Sequence, residues 1–329
     1  MQFSPHLPLP PELSAYTWRP IQPDDLDAII KMLVDSSGVD KPETPPSSEH
    51  LRSLLGMLGE DIEQNTLCAL AADGSMAAAG MVFIPPVDEE RLALVDGNVH
   101  VAHRGRGLGG YLLGWMERRA RQAFGDPADG LPQIMRTSCS GHQTDRIALY
   151  EQHGFKAMRY SYKMRRSLAQ AVIPAPLPPG LSWAEWSPEL DLEAMQAFNQ
   201  AFSGHWGVPM MNPEIWRGYF TGVPQFRGDL SFLAMEGESV VGFCINWVEG
   251  AGTPVEEGWV EAIGVIPAWR GKGVASALMV QALSRFQAAG LRGAGLDVDA
   301  ENPTGALRLY QKHGFEVVKE SIHFVKQLI

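Results

Sequence analysis

The sequence of 329 residues contains little cysteine, since Cys68, Cys139 and Cys244 are its three copies. They are widely spaced, they form no CxxC pair, and no histidine stands near them at metal-ligand spacing. These absences argue against a disulfide framework and against a zinc site. We therefore expect three reduced thiols and no bound metal.

The chain also lacks an excess of positive charge and a long apolar run. Its net charge of −11 at pH 7 gives no support to binding of nucleic acid or of an anionic membrane. No apolar run reaches the length of a membrane span, and residues 1–5 do not resemble the start of a signal peptide. We expect a cytoplasmic protein with no nucleic-acid or membrane partner.

What the chain does contain is a glycine-rich signature that occurs twice. It reads Arg104-Gly105-Arg106-Gly107-Leu108-Gly109 in the first half and Arg270-Gly271-Lys272-Gly273-Val274-Ala275 in the second. A second motif, Leu-Tyr followed by His-Gly-Phe, recurs at nearly the same spacing around Tyr150 and Tyr310. Two ordered matches of this kind indicate an internal duplication.

A proline-rich segment, 173–180, separates the two copies and predicts a linker, because neither a helix nor an inner strand accommodates four prolines in eight residues. It divides the chain into an N-terminal domain, 1–172, and a C-terminal domain, 181–329. Each half predicts a strand, an amphipathic helix, a hairpin, the glycine-rich loop with its helix, and a final strand, short helix and strand. The hairpins turn at Asp73-Gly74 and at Glu236-Gly237. The fold class is therefore mixed α/β, present twice.

The glycine-rich loops predict a seat for a pyrophosphate, because glycines allow backbone N–H groups to approach a ligand at a positive helix start. A tight turn with solvated basic residues is the alternative for a single copy. Gly105, Gly107 and Gly110 also fit the dinucleotide fingerprint GxGxxG, but the second copy has Ser276 at the third position. Neither loop begins its domain as in a Rossmann unit, and no Gly-Lys-Ser/Thr sequence completes a Walker loop.

The pattern Arg-x-x-Gly-x-Gly/Ala after a strand, with Asn-x-x-Ala/Gly and Leu-Tyr-x-x-x-Gly-Phe further on, resembles the GNAT superfamily of acetyl-CoA-dependent N-acetyltransferases. The resemblance implies two consecutive GNAT-like domains, each a mostly antiparallel sheet flanked by helices. It also implies that the loop binds the CoA pyrophosphate. The strand before the loop is expected to splay from its neighbour, pair with the pantetheine and offer an amide to the thioester oxygen. By this resemblance the cofactor-binding residues are Ile263, Gly264, Val265, Arg270, Gly271, Lys272, Gly273, Val274, Ala275, Ser276 and Asn302, with Val99, Val101, Arg104, Gly105, Arg106, Gly107, Leu108, Gly109 and Gly110 in the first half.

The same resemblance implies that Tyr310 is the general acid, which gives a proton to the leaving thiolate, and that Asn302 contacts the cofactor. Tyr150 fits the motif equally well, but His142 stands where the second half has Asn302. The first half therefore departs from the pattern at a cofactor contact. We expect a catalytically degenerate N-terminal domain, and its intact loop leaves CoA binding open.

Family members often carry a glutamate on the strand before the loop as the base, and Glu261 is the candidate here. Simple alternation places it on one face with Ile263 and Val265 and matches it to Val95 in the first half. A carboxylate at the sheet edge in solvent is the alternative. The tandem arrangement is similar to the mycothiol synthase family, whose members place their glutamate two residues earlier, at Trp259 here. Glu256 and Glu257 are therefore kept as reserve candidates.

The segment 202–209 follows the first helix of the second half, where the family has acceptor-binding loops. His205 and Trp206 are the predicted substrate-binding residues, and a packed histidine beside a packed tryptophan is the alternative.

The predicted function is transfer of an acetyl group from acetyl-CoA to an amine of a small molecule or peptide by the C-terminal domain. A non-catalytic CoA-binding regulatory protein and a dinucleotide-dependent oxidoreductase are the alternatives. The duplication is compatible with a monomer, and a homodimer remains open.

Overall fold

The computed structural model of the chain describes residues 8–42, 48–56, 58, 61–87, 90–125, 130–203, 205, 208, 210–253, 256–302 and 305–328. The chain divides into two compact units, Met1–Arg159 with Ser321–Ile329, and Tyr160–Glu320. No helix within the described residues is long and apolar enough to cross a membrane.

The first unit is a mostly antiparallel sheet with helices packed on it. Its strands are β1 (Thr17–Arg19), β2 (Thr66–Leu70), β3 (Met76–Phe83), β4 (Arg91–Val99) and β5 (Gln133–Ser140), and its helices are α1 (Leu26–Asp40), α2 (Ser48–Gly56), α3 (Ile62–Asn65), α4 (Leu108–Phe124) and α5 (Thr144–Gln152). The strands lie in chain order, and each pair is antiparallel except β4 and β5, which are parallel. The hairpin turns at Asp73-Gly74 as predicted, with Gly74 at φ +83°.

The second unit repeats this plan. Between β6 (Lys156–Ser167) and β12 (Glu316–Gln327) lie β7 (Ser182–Glu185), β8 (Phe232–Glu236), β9 (Ser239–Glu249), β10 (Glu257–Val265) and β11 (Gly293–Asp299), with α6 (Asp191–Ala201), α7 (Pro213–Trp216), α8 (Val274–Ala288) and α9 (Ala306–Lys312). The pair β10 and β11 is parallel, and the pairs from β7 to β10 are antiparallel. The predicted fold class, a mostly antiparallel sheet flanked by helices, is confirmed in both units.

The last strand of each sheet comes from the other half of the sequence. Residues 161–167 of β6 pair antiparallel with β11 in the second unit, and residues 321–327 of β12 pair antiparallel with β5 in the first. The compact units therefore differ from the predicted division into 1–172 and 181–329. The physical reason is strand pairing, which a duplication in the sequence does not reveal. The proline-rich segment 173–180 forms neither helix nor strand, and its Leu177 packs on the core of the second unit.

The helices that follow the glycine-rich loops pack on the sheets through apolar stripes. In α4 the stripe includes Leu108, Leu112 and Met116, which are buried at helical spacing. In α8 it includes Val274 and Leu278, which lie in the core of the second unit. This packing fixes both helix starts at the strand ends that precede them.

Candidate active site

The two glycine-rich loops have the same backbone conformation. Gly271 and Gly273 have φ values of +72° and +89°, and Gly105 and Gly107 have +72° and +85°. Residues with a side chain are strained in this left-handed region, which explains the glycines. Gly107 and Gly273 are the N-cap residues of α4 and α8, and neither helix start has a side-chain cap. The geometry fits the predicted pyrophosphate seat, since uncapped N–H groups at a helix start attract anions.

The first arginine of each loop is bound to the protein itself. Arg270 donates from Nε to the Val265 carbonyl at 3.3 Å and from Nη2 to the Ala201 carbonyl at 2.7 Å. Arg104 donates in the same way from Nε to the Val99 carbonyl at 3.1 Å. Both arginines are predicted cofactor contacts, but the structure gives them a positioning role, because they tie the loop to the preceding strand end.

The second basic residue of each loop stays exposed. Arg106 and Lys272 lie at the tips of the loops, and the Lys272 ammonium sits 4.4 Å from the centroid of the Trp269 ring. These two residues therefore add exposed positive charge at the loop tips.

The strand before each loop parts from its parallel neighbour. β10 pairs with β11 at Gly258 and Trp259, and no pair follows in the described residues of the two strands. β4 pairs with β5 from Arg91 to Leu94 and then separates from it. Each unit thus has the predicted opening beside the strand end that leads into the loop.

Glu261 lies at a β-bulge in β10. The register between β9 and β10 shifts between Val260 and Ala262, so that Glu261 is an additional residue in its strand. Ile263 and Val265 pack with the core under α8, whereas Ala262 packs with the core that contains α6. Simple alternation does not hold through the bulge.

The carboxyl group of Glu261 faces the side of the sheet opposite to α8. Its electrostatic neighbours include Lys163 and Asp297. On β11, Asp297 precedes Val298, which packs under α8, so Asp297 lies on the other face. The prediction that Glu261 shares a face with residues 263–265 is therefore wrong, and the bulge is the reason.

The bulge also changes the predicted match between the halves. The pairing of β3 with β4 runs without a register shift, and Val95 packs in the core under α4. Val260 packs in the corresponding core under α8. Val95 therefore corresponds to Val260, and Glu261 has no counterpart in the first unit.

Burial raises the pKa of the Glu261 carboxyl to about 7. The charges of Asp297 and Glu249 act in the same direction, while a hydrogen bond with Trp259 and the charge of Lys163 oppose them. A carboxyl group with such a pKa is partly ionised at neutral pH and suits general-base chemistry.

The reserve candidates for the base have other surroundings. Glu257 forms an ion pair with Arg165, with Nη2 and Oε1 2.8 Å apart. Glu256 is exposed and lies just before β10. Neither lies at the bulge, where Glu261 is placed.

Tyr310 is buried in α9 with 7% of its surface exposed, and its ring centroid lies 6.2 Å from that of Phe315. Burial raises the pKa of the Tyr310 phenol far above its usual value, and the charge of Cys244 acts in the same direction. The hydroxyl therefore keeps its proton at neutral pH, as a general acid must. Tyr150 is also buried, burial raises its pKa, and its hydroxyl accepts a hydrogen bond from Thr137 at 3.3 Å.

Asn302 lies in the turn between β11 and α9. Its N–H donates to the Asp299 carbonyl at 3.1 Å, and its carbonyl accepts from the Gly305 N–H at 3.3 Å. In the first unit the His142 ring donates from Nε2 to the Asp40 carbonyl at 3.0 Å. The two units therefore differ in structure at this predicted cofactor contact.

In each unit, a histidine that was not predicted from the sequence lies against the first turn of the helix after the glycine-rich loop. In the second unit, Nε2 of the buried His313 lies 2.6 Å from the Ser276 hydroxyl in the first turn of α8. In the first unit, a Cβ atom on Gly110 would lie 3.0 Å from Nε2 of His153. The signal was available, because both histidines precede the repeated Gly-Phe.

The first unit encloses a cavity of about 510 Å³ beside its loop. The wall includes Arg104, Gly107, Gly110, Arg146 and Tyr150. The cavity therefore joins the predicted pyrophosphate seat to the position of the motif tyrosine within one unit.

The structure describes His205, one of the two predicted acceptor-binding residues. The ring centroid of His205 lies 5.0 Å from that of Phe202, which packs on the core containing α6. Trp206 lies outside the described residues.

The three cysteines are buried and free, and no group of three or more His, Cys, Asp or Glu side chains among the described residues is placed to hold a metal ion.

Comparison with known proteins gives consistent matches to both halves. Residues 27–155 and 192–315 each match the acetyltransferase (GNAT) family. The mycothiol acetyltransferase of Thermobispora bispora is 31% identical over 306 residues, which cover 83% of this chain and 94% of the relative. The mycothiol acetyltransferase of Frankia alni is 28% identical, with 95% of each chain covered.

Solved structures match over nearly the whole chain. A GCN5-related N-acetyltransferase from Sphaerobacter thermophilus has a TM-score of 0.76 and 28% identity, with 97% of this chain and 96% of that chain covered. A tandem GNAT protein from the clavulanic acid biosynthesis pathway has a TM-score of 0.69 at 15% identity, with 95% and 98% covered, and it supports the fold alone.

Proposed function

Because the chain belongs to the GNAT family of acetyltransferases, whose acyl donor is acetyl-CoA, we propose that its second unit transfers the acetyl group to an amine of a small molecule or peptide. The observation that carries this assignment is Glu261, a partly buried carboxyl group with a pKa of about 7 at the bulge beside the opening of β10. In the first unit β4 has no bulge, and the residue after Val95 is Asp96, whose carboxylate is exposed.

The acid and the base lie on opposite faces of the second sheet. Tyr310 packs in the core under α8, on the face of the glycine-rich loop, and Glu261 faces the other side. Strand pairing between β10 and β11 ends at Trp259, two residues before Glu261. This arrangement favours a thioester that approaches on the loop side and an amine that approaches from the opposite side.

Each group has the protonation state that its role requires. Glu261 removes a proton from the incoming ammonium, directly or through water, so that the neutral amine attacks. Tyr310 holds its proton until the thiolate leaves and then donates it. The backbone of Ile263–Val265 pairs with β9 on one side, and on its other side, where β10 parts from β11, it would bind the pantetheine and stabilise charge on the thioester oxygen.

We assign CoA binding without transfer to the first unit. Its loop has the same left-handed glycines as the second loop and opens on the cavity of about 510 Å³. Asp96, the carboxylate next to Val95, is exposed, and His142 is held at the position of Asn302. The cavity supports binding, and the lack of a bulge residue equivalent to Glu261 in β4 argues against turnover.

The acceptor that best fits the relatives is the amine of a mycothiol precursor, since two of them are named mycothiol acetyltransferases. Loops set the acceptor in such folds, so the substrate has to be found by assay. A panel for this purpose contains a mycothiol precursor, an aminoglycoside, a polyamine and a peptide with a free N-terminus.

The test compares Tyr310→Phe with the matched variant Tyr150→Phe, by release of the CoA thiol with the best acceptor. Both variants remove a hydroxyl from a buried tyrosine at corresponding positions. We expect Tyr310→Phe to lower kcat by about 100-fold or more with little change in acetyl-CoA affinity, and Tyr150→Phe to leave kcat unchanged. Loss of turnover in Tyr150→Phe alone would assign the chemistry to the first unit.

A further inference from the structure

The cavity of the first unit contains a cation that the proposed chemistry does not use. Arg146 lies on α5, lines the cavity and is partly buried. Its Nη2 donates one hydrogen bond, to Oδ1 of Asn98 at 2.7 Å. Within the described part of the chain it makes no other hydrogen bond and no ion pair.

The guanidinium is at the end of the cavity where an acyl group would lie. Arg146 and Tyr150 are four residues apart on α5, so they share one face of that helix. Asn98 belongs to the part of β4 that lies beyond Leu94, the last residue paired with β5. Arg146 therefore reaches the opening between the two strands.

The second unit has no cation at the corresponding position of its helix α9. Ala306 precedes Tyr310 by four residues, as Arg146 precedes Tyr150, and it packs on the apolar core of its unit. An acetyl group is neutral and needs no cation beside it. A partly buried guanidinium without a carboxylate partner is costly unless a ligand supplies the negative charge.

No acidic side chain among the described residues forms an ion pair with Arg146. Burial lowers the pKa of the Arg146 guanidinium, but the charges of Tyr150, Asp96 and Asp40 act the other way and leave it raised. Asp40 lines the cavity, but its Oδ2 is 2.6 Å from Nη2 of Arg104. Asp145 is exposed in the first turn of α5. Asp96 is exposed and accepts a hydrogen bond from the Asn98 amide at 3.4 Å.

We propose that the cavity of the first unit binds a CoA thioester whose acyl group ends in a carboxylate, with that carboxylate on Arg146. The ligand class is the monothioester of a dicarboxylic acid, such as succinyl-CoA or malonyl-CoA. This proposal rests on the proposed binding of CoA by the first loop. The bound thioester is held without reaction, because β4 has no bulge residue equivalent to Glu261 and its Asp96 is exposed.

The test measures binding by calorimetry to the full chain carrying Gly273→Val, which strains the second loop and leaves the first site to report. Succinyl-CoA and butyryl-CoA have acyl chains of equal length and differ in the terminal carboxylate. We expect succinyl-CoA to bind about 10- to 100-fold more tightly, as charge-assisted hydrogen bonds would provide. Equal affinity of the two thioesters would overturn the proposal.

Two variants in this background show which residue is responsible. Arg146→Met should abolish the preference and still bind both thioesters, whereas Arg106→Met, at the exposed loop, should weaken both to the same degree. Arg146→Lys keeps the charge and should keep part of the preference, which covers a failure of Arg146→Met to fold. The assignment of the carboxylate to Arg146 would be contradicted if Arg146→Met kept the preference for succinyl-CoA over butyryl-CoA. It would also be contradicted if Arg146→Lys and Arg106→Met both lost that preference.

The same experiment separates this proposal from the proposed function. Acetyl transfer by the chain with Gly273 intact reports on the second unit alone. Turnover without any binding of a CoA thioester to the Gly273→Val chain would reject the acidic-ligand site and leave the acetyltransferase assignment standing. Binding of succinyl-CoA to a chain without acetyl transfer would reject the acetyltransferase assignment and keep the acidic-ligand site.

Discussion

Replacement of Glu261 with glutamine tests its role as the base through the pH dependence of the reaction. Burial and two nearby carboxylates raise the pKa of this group to about 7. A group with that pKa is about one tenth ionised at pH 6 and about nine tenths ionised at pH 8. If the ionised form removes the amine proton, kcat of the unmodified protein rises about tenfold over this range.

Glutamine has nearly the same shape but accepts no proton. We expect Glu261→Gln to lower kcat at pH 8 by about 100- to 10,000-fold, the usual contribution of a positioned base, and to remove the rise between pH 6 and pH 8. The assay is CoA release at saturating acceptor and acetyl-CoA, so that changes in binding do not enter kcat.

The control is Glu256→Gln, which removes an exposed carboxylate next to β10 and should leave both the rate and its pH profile unchanged. A Glu261→Gln variant that keeps the wild-type rate and the rise near pH 7 would refute the assignment of the base. The ionisation of the amine itself is common to all three proteins and cancels in the comparison.

Further predictions follow from the same contacts. The folded state holds the Glu261 proton more tightly than the unfolded chain, so the stability that this proton contributes is lost as the pH rises from about 4.5 through about 7. In urea unfolding, the free energy of unfolding of Glu261→Gln relative to wild type should therefore be up to about 3 kcal/mol higher at pH 8 than at pH 5. The same relative free energy at both pH values would contradict the raised pKa of Glu261. Arg270→Met removes the bonds to the Val265 and Ala201 carbonyls and should raise KM for acetyl-CoA by about tenfold with a smaller effect on kcat, whereas an unchanged KM would show that the loop keeps its shape without them. Gly264→Val should destabilise the protein by about 1–3 kcal/mol or more, because a Cβ atom there would lie 2.3 Å from the Phe243 ring, and full stability in thermal unfolding would contradict this packing.

The sequence predicted the features that depend on local pattern. The hairpin at Asp73-Gly74 and the glycine-rich loops appear in the structure where the sequence indicated them, because turn residues and left-handed glycines act locally. The helix α1 ends at Asp40, where the next residue, Lys41, adopts a left-handed conformation with φ of 44°. An end set by one residue at an unfavourable φ has no clear signal in the sequence.

Features that depend on pairing between distant residues were outside the reach of the sequence. The bulge at Glu261 moves the base to the opposite face, and it is visible only in the register between β9 and β10. The exchange of β6 and β12 depends on which strand edges meet, so the duplication pointed to simpler boundaries. The loop arginines resembled ligand contacts until their bonds to backbone carbonyls were seen.

The measurement that tests the central claim most directly compares acetyl transfer by Gly273→Val and Gly107→Val. Both glycines are helix N-caps with nearly equal φ values of +89° and +85°, so valine imposes the same backbone strain in each unit. The account predicts that Gly273→Val abolishes turnover and that Gly107→Val retains it. Loss of turnover in Gly107→Val with normal rates in Gly273→Val would show that the first unit is the acetyltransferase.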